Sequence, residues 1–231
     1  MKYRIGKKLY HKKYIDDIQK QINMLGKNVR FDAIEFINMR FLTTLLLVII
    51  LFFMTSVNYI IIPFIAILYY YLFYYLLITR PMKFRTQKLD REALTFFEIL
   101  TLTLESGRNL DNSLEITCMN VSSEISDEFK QCLVEVKFGK TLIEALNDMK
   151  KRIPSETVNN IILNIAQTSV FGNSIIDTMN NQVEFLRDKQ ILEIKSQINK
   201  IPNKVSIISV LFVVPLILLI ILGPFIVEFL G

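Results

Sequence analysis

The sequence predicts an all-α, polytopic membrane protein with three transmembrane helices and a cytoplasmic antiparallel six-helix bundle. Its composition favours helices, because 52% of its 231 residues are hydrophobic while only 7 are Gly and 6 are Pro. Long stretches without a charged side chain stand near both ends of the chain. The region between them repeats apolar residues at helical spacing, without the alternation that is typical of strands.

Two uncharged stretches predict the membrane spans. Residues 41–78 suit two crossings of about 19 residues each, joined by the polar turn TSVN at residues 55–58. Residues 205–227 suit one more crossing, which gives a third span at 205–230. A cleaved signal peptide is not predicted, because the first uncharged stretch begins too late and is too long.

The basic residues predict the topology. All 27 lysines and arginines lie either before Phe41 or between Arg80 and Lys204. Because cytoplasmic segments are enriched in these residues, we expect a multi-pass protein of the inner membrane. Its N-terminal arm (1–40) and middle region (79–204) are then cytoplasmic, and its C-terminus is outside.

The arm is basic and contains one amphipathic segment. Ile15, Ile18, Ile22 and Leu25 recur on one helical face, and Gly26 follows as a suitable C-cap. We expect this helix to lie on the membrane surface or against the cytoplasmic domain.

Tyrosines and cations mark the cytoplasmic end of the hairpin. The cluster YYYLFYY at residues 69–75 is typical of an interfacial aromatic belt. Four cations follow that are expected to attract anionic lipid headgroups: Arg80, Lys83, Arg85 and Lys88.

Residues 79–204 predict the six-helix bundle. The first helix has an apolar face from Leu89 to Leu104, and the last has one that includes Ile191, Ile194 and Ile198 and ends before Pro202. Between these two helices, the other helices of the bundle are separated by hydroxyl residues that cap a helix start or by Gly and Pro residues that end a helix. No strand pattern competes with this interpretation.

Three of the breaks share one pattern. The sequences read G-x-N-L-x-N-S-L, G-x-T-L-x-E-A-L and G-x-S-I-x-D-T-M, each a Gly that ends a helix followed by a cap that starts the next. They predict sharp helix-turn corners with these residues: Gly107, Asn109, Gly139, Thr141, Glu144, Gly172, Ser174 and Asp177. One alternative is that these are ordinary helix-end and helix-start residues without further meaning. The other is a tetratricopeptide-like solenoid, although the signature Trp and Tyr positions of that repeat are missing.

The last span is interrupted by helix-breaking residues. Pro215, Gly223 and Pro224 predict a transmembrane kink and packing against other spans. No ionisable side chain lies inside the spans away from their ends, which disfavours a transporter.

No catalytic or cofactor site is predicted. There is no P-loop, no dinucleotide fingerprint and no His-based triad. Cys118 and Cys132 are interpreted as small apolar side chains rather than as a disulfide or metal site. The acidic Glu124, Asp127 and Glu128 are interpreted as a favourable first helical turn, and no metal is assigned.

One basic group could contact an acidic partner. Lys150, Lys151 and Arg152 end a helix, where cations are favourable even without a partner, so both interpretations stay open. The net charge of +5 is modest and does not argue for nucleic acid.

The corners ESGRNLDNSL, FGKTLIEAL and VFGNSIIDTM, together with the long helix VEFLRDKQILEIKSQINKIPNKVSI that follows, resemble the type II secretion system F family (GspF/PilC-like). The single cytoplasmic domain and the ending VLFVVPLILLIILGPFI are most similar to its tight-adherence (Flp) pilus branch, TadC and TadB. The resemblance covers roughly residue 41 to the end.

The resemblance implies a non-enzymatic platform without a cofactor. Its implied partners are a hexameric secretion or pilus ATPase, a second F-domain subunit or another copy of this chain, the pilin substrate and membrane lipids. Long family members carry two such domains, whereas this chain has one. A membrane-embedded subunit of a transporter or membrane enzyme is the alternative function.

Overall fold

The computed structural model describes residues 11–26, 29, 31–54, 61–171 and 175–230, and within these ranges every regular element is helical. The all-α prediction is thereby confirmed. These described residues contain nine α-helices, in chain order α1 Lys12–Asn23, α2 Ala33–Met54, α3 Ile61–Tyr74, α4 Arg80–Glu105, α5 Leu110–Asn120, α6 Glu124–Lys137, α7 Leu142–Lys150, α8 Glu156–Phe171 and α9 Ile175–Leu230.

In the part of the chain that the structure describes, three helices are long and apolar enough to cross a membrane. The candidate spans are Ala33–Phe53, Val205–Leu222 and an apolar part of the continuous helical stretch Ile61–Glu105. That stretch includes a π-helical turn, Tyr75–Thr79, between α3 and α4. The predicted number of spans is confirmed, while the turn at residues 55–58 lies outside the described residues.

The chain forms two compact units, Met1–Val183 and Glu184–Gly231. The first unit contains α1 to α8 and the start of α9. The second consists of the remainder of α9.

The base of the membrane hairpin packs on the arm. Residues from α1, α2 and the π-helical turn form one buried cluster: Ile18, Ile22, Ala33, Phe36, Ile37 and Ile78. Helix α1 therefore buries its apolar face against protein. Helix α2 begins at Ala33, so the last residues of the predicted arm belong to the first spanning helix.

The bundle core lies under α4. Its apolar face is buried at six positions: Leu89, Ala93, Phe96, Phe97, Leu100 and Leu104. The Phe96 ring stacks on Phe129 of α6 with 4.8 Å between centroids. Helix α8 adds Val158, Ile161 and Ile162, all fully buried. Burial of so much aromatic and aliphatic surface is the main source of the bundle's stability.

The first corner joins α4 to α5. Gly107 has a φ of +84°, a left-handed conformation that costs a residue with a Cβ about 1–2 kcal/mol. The Asn109 side chain then accepts a 3.0 Å hydrogen bond from the Asn112 amide and so caps α5.

The second corner joins α6 to α7. Gly139 has a φ of +99°. Thr141 and Glu144 form a reciprocal capping box, in which the Glu144 carboxylate accepts from the Thr141 amide at 3.0 Å. Gly172 and Ser174 of the third corner lie outside the described residues, and Asp177 stands in the first turn of α9.

Helix α9 differs from the sequence-based prediction. The bundle's last helix was expected to end before Pro202, yet α9 is one helix of 56 residues that continues past it. A proline removes one backbone hydrogen bond, which the bonds on either side outweigh here. Pro215, Gly223 and Pro224 also lie within α9, and their kink stays a prediction.

Candidate functional site

A buried arginine joins three distant parts of the first unit. Arg85 lies on α4 and is only 7% exposed. Its Nη1 donates to the carbonyl oxygens of Met24 and Arg152, both at 2.7 Å. Its Nη2 donates to Glu128 at 2.8 Å, and its Nε donates to Glu124. One guanidinium therefore connects the arm, α4, α6 and the α7–α8 turn.

Two carboxylates of α6 receive these bonds. Glu128 is 4% exposed and also accepts from Nε of Arg152 at 3.1 Å. Arg152 reaches on to Glu135 through Nη1, again at 3.1 Å. We call Arg85, Glu124, Glu128 and Arg152 the Arg85 hub. The charges of buried Arg85 and Glu128 are paired and hydrogen-bonded, which is what makes such burial tolerable. Within the described residues, Nη2 of Arg152 is buried without a hydrogen-bond partner.

Local sequence explains why Arg85 reaches inward. It lies one helical turn before Leu89, so it extends the buried face of α4. Gly26 allows the arm to approach, because a Cβ there would be 3.0 Å from the Arg85 Nε. Gly26 also has a φ of +92°, which favours glycine independently.

An open polar cleft of about 410 Å³ lies beside the hub. Lys88 adds ion pairs to Glu92 at 3.8 Å and to Glu124 at 3.3 Å, and Glu92 accepts from the Glu124 amide at 2.8 Å. The cleft's acids are thus largely engaged by cations or by a helix N-terminus. Within the described residues, no group of three or more potential metal ligands is found.

A more exposed set of ion pairs surrounds the second corner. Lys140 donates to Glu135 at 2.7 Å and to Asp148 at 2.9 Å. The hydrogen bond from Lys140 lowers the pKa of Glu135. Hydrogen bonds from Lys151 and Lys140 lower the pKa of Asp148 to about 2. These pairs hold the start and the end of α7 together.

The basic group of α7 is divided between two roles. Lys151 is exposed and pairs with Asp148 at 2.7 Å. Lys150 is half-buried. Arg152 points into the Arg85 hub, so its guanidinium is engaged inside the protein. A partner contact by Lys150 and Lys151 stays a prediction.

A second buried arginine fixes the base of the hairpin. Arg40 is 5% exposed, and its guanidinium carbon lies 3.3 Å from the centre of the Tyr70 ring. Its Nε donates to the Tyr70 carbonyl oxygen at 3.0 Å. Part of the tyrosine cluster therefore binds a cation of its own chain, in a contact that is strengthened by burial.

Both cysteines are free and buried. Burial raises the pKa of the Cys132 thiol to about 12 and also raises that of Cys118. Such thiols are protonated and unreactive near neutral pH.

Sequence reasoning missed the inward role of Arg85 and Arg40. The sequence predicts a contact of Arg85 with lipid headgroups, whereas its guanidinium is buried among protein groups. The available signal was register: Arg85 precedes Leu89 by four residues, and Glu128 precedes Cys132 by four, so both charges lie on buried faces.

One comparison decides the family. A family model described as "Type II secretion system (T2SS), protein F" matches residues 96–223, which is more than half of the chain. The chain belongs to this family. Searches of curated proteins and of solved structures gave no match.

Membership in the protein F family makes the chain a multi-pass inner-membrane platform protein of secretion or pilus systems, and such family members are generally non-enzymatic. The match contains Glu124, Glu128 and Arg152 but begins after Arg85. The Arg85 hub therefore fastens the family domain to the arm and to the membrane-proximal part of α4, which precede the match.

Proposed function

We propose that this protein is the platform of a type IV-like (Flp/Tad) pilus or of a type II secretion machine, of the TadC or TadB type. In this role it couples a cytoplasmic hexameric ATPase to pilin assembly or to secretion. The family supports a platform. The N-terminus is cytoplasmic and the C-terminus outside, in keeping with the distribution of lysine and arginine.

The Arg85 hub is the observation that carries this proposal. Helix α4 is continuous with the second candidate span over Ile61–Glu105. Arg85 fixes that rod to α6 and to the Arg152 carbonyl, and it also holds the Met24 carbonyl of the arm. Because charge-assisted bonds at several points resist sliding and rotation, a push on the bundle is transmitted to the membrane base.

The proposed partners follow from exposed groups. The exposed Lys151, with Lys150 beside it, suits an acidic surface of the ATPase. Arg80 and Lys83 are exposed and suit anionic lipid headgroups. A second F-domain subunit, or a second copy of this chain, is a further proposed partner.

Co-purification tests the coupling. Protein purified in mild detergent is expected to retain the pilus ATPase, and Lys150→Glu with Lys151→Glu is expected to weaken that retention while the bundle stays folded. A matched charge reversal at exposed Lys83 should leave it unchanged. A wild-type protein that binds neither ATPase nor pilin, together with normal piliation and secretion in a deletion strain, would refute the platform role.

The orientation has its own test. A reporter fused after Gly231 is expected to be active only outside the cytoplasm. Cytoplasmic activity of that fusion would overturn the proposed topology without affecting the family assignment.

A further inference from the structure

The part of α9 that precedes the third candidate span carries a line of exposed apolar side chains. Ile191, Ile194, Ile198 and Val205 are each about half exposed, between 49 and 56%. Ile201 stands between the last two in the sequence. We call Ile191, Ile194, Ile198, Ile201 and Val205 the heptad seam.

The spacing of the seam alternates between three and four residues, which is a heptad repeat. From 191 to 204 the residues between the seam positions are polar, charged or proline, apart from Leu192. A helix that packs on a globular core shows a wider apolar face, as α4 does with adjacent Phe96 and Phe97 buried together. A strict two-in-seven seam is typical of a helix that packs along another helix.

The membrane determines how two such helices could meet. The seam belongs to the same continuous helix as the candidate span Val205–Leu222. Copies of one chain insert with the same orientation, so their seams run parallel and at the same depth. In a parallel pairing, Gln190 of one copy lies opposite Lys195 of the next, and no like charges meet there. The seam therefore fits a second copy of itself.

The residue types indicate the number of copies. Isoleucine occupies both core positions of the heptad repeat. Ile191 and Ile198 stand at the first position, and Ile194 and Ile201 at the second. This choice disfavours two-stranded coiled coils and suits a larger number of strands. We propose that the heptad seam joins three copies of this chain in a parallel coiled coil next to the third span. This deepens the self-association within the proposed function and rests on it only for its role in a platform.

Native mass spectrometry of the full-length protein in detergent tests the assembly. The wild type is expected to be a trimer. Ile198→Glu is expected to be a monomer, because a buried ring of carboxylates opposes association. Leu192→Glu is the matched control: Leu192 is 65% exposed and stands next to the seam, and this variant should keep three copies. Both positions are exposed, so neither change disturbs the bundle core.

Disulfide trapping in membranes tests direction and register. Ile198→Cys is expected to form an inter-chain disulfide under mild oxidation, because equivalent seam positions meet only in a parallel, in-register arrangement. Ser196→Cys faces away from the seam and should not, and the buried native cysteines should give no background.

Several results would overturn the proposal: a monomeric or dimeric wild type, an Ile198→Glu variant that stays trimeric, or equal trapping at both cysteine positions. The platform role is scored on the same samples by ATPase co-purification. A monomer that retains the ATPase refutes the seam alone, whereas a seam-dependent trimer without any secretion partner refutes the platform role alone.

Discussion

The Arg85 hub and the heptad seam treat their side chains in opposite ways. At the hub, Arg85 and Glu128 are buried, Glu124 and Arg152 are partly exposed, and each of the four has an ion-pair partner within the same chain. At the seam, the side chains of Ile191, Ile194, Ile198 and Val205 are about half exposed to solvent. The hub pairs its charged side chains within one chain, whereas the seam leaves apolar side chains exposed that would be more stable if buried.

The two regions of the sequence therefore specify different things: one specifies a fold, and the other specifies an association. Residues of the first unit specify a fold that the chain completes by itself, since its carboxylates, guanidinium groups and aromatic rings meet each other. The heptad seam specifies an association, because an alternating isoleucine line stabilises nothing until another helix covers it. Changes in the first unit are therefore expected to cost more stability than changes at exposed positions.

Truncation of the bundle core should have the largest effect. Phe129 is fully buried and stacks on Phe96, so Phe129→Ala is expected to lower the free energy of unfolding by about 3–5 kcal/mol. Leu192→Ala, at an exposed position outside the seam, should change it by less than about 0.5 kcal/mol. Denaturant titration in detergent measures both. Equal losses would mean that the two regions are not distinct.

Removal of the Arg85 charge should lower the free energy of unfolding by a similar amount. Arg85→Met removes one of the two arginines that pair with buried Glu128 and leaves Glu124 only the exposed Lys88, at a cost of up to about 3–5 kcal/mol in unfolding free energy. Lys83→Met, on the exposed side of the same helix, should cost less than about 0.5 kcal/mol. If both variants unfold at the same denaturant concentration as the wild type, the hub does not contribute to stability.

Two glycines provide a finer comparison. Gly26 and Gly107 both have positive φ, so alanine at either position costs about 1–2 kcal/mol. Only at Gly26 would the new Cβ also press on Arg85, whereas the space around Gly107 is open. Gly26→Ala should therefore lower the thermal midpoint more than Gly107→Ala. The reverse order would show that the Arg85 side chain moves away from the new Cβ at little cost.

Acidification should have a small effect confined to the second corner. Ion pairs with Lys151 and Lys140 lower the pKa of Asp148 to about 2 from an ordinary value of 3.8. A lowered carboxyl pKa stabilises the fold above the unfolded pKa and loses this contribution as the pH falls through the folded one. The wild type should thus be slightly more stable than Asp148→Asn above about pH 4. The two thermal midpoints should converge toward pH 2, and a constant difference between pH 5 and pH 2 would contradict the assignment.

Much of the fold could be predicted from local patterns, and the hub could not. Uncharged runs predict the spans, and the residue types at Gly107, Asn109 and Thr141 are those that left-handed turns and caps require. The inward role of Arg85 depends on Glu124, which lies 39 positions later and meets it only after α4 and α6 pack. In the sequence, Arg85 stands in a basic run beside a span, a pattern that is equally typical of lipid contact.

The end of the bundle shows the same limit. Ile191, Ile194 and Ile198 have helical spacing, which was interpreted as the core face of a sixth bundle helix, but their side chains are half exposed. A period of 3.5 and one of 3.6 differ little over two turns. Only the polar residues at nearly all remaining positions distinguish a narrow seam from a core-facing helix.

Arg85 makes the arm, the membrane base and the family domain one cooperative unit. Hydrogen exchange of the full-length protein in detergent tests it most directly, with Arg85→Met compared with Lys83→Met. Arg85→Met is expected to lose amide protection in α1 and in the first turn of α6 together, because both depend on the same guanidinium. Protection of α1 that stays at the wild-type level in Arg85→Met would contradict the claim.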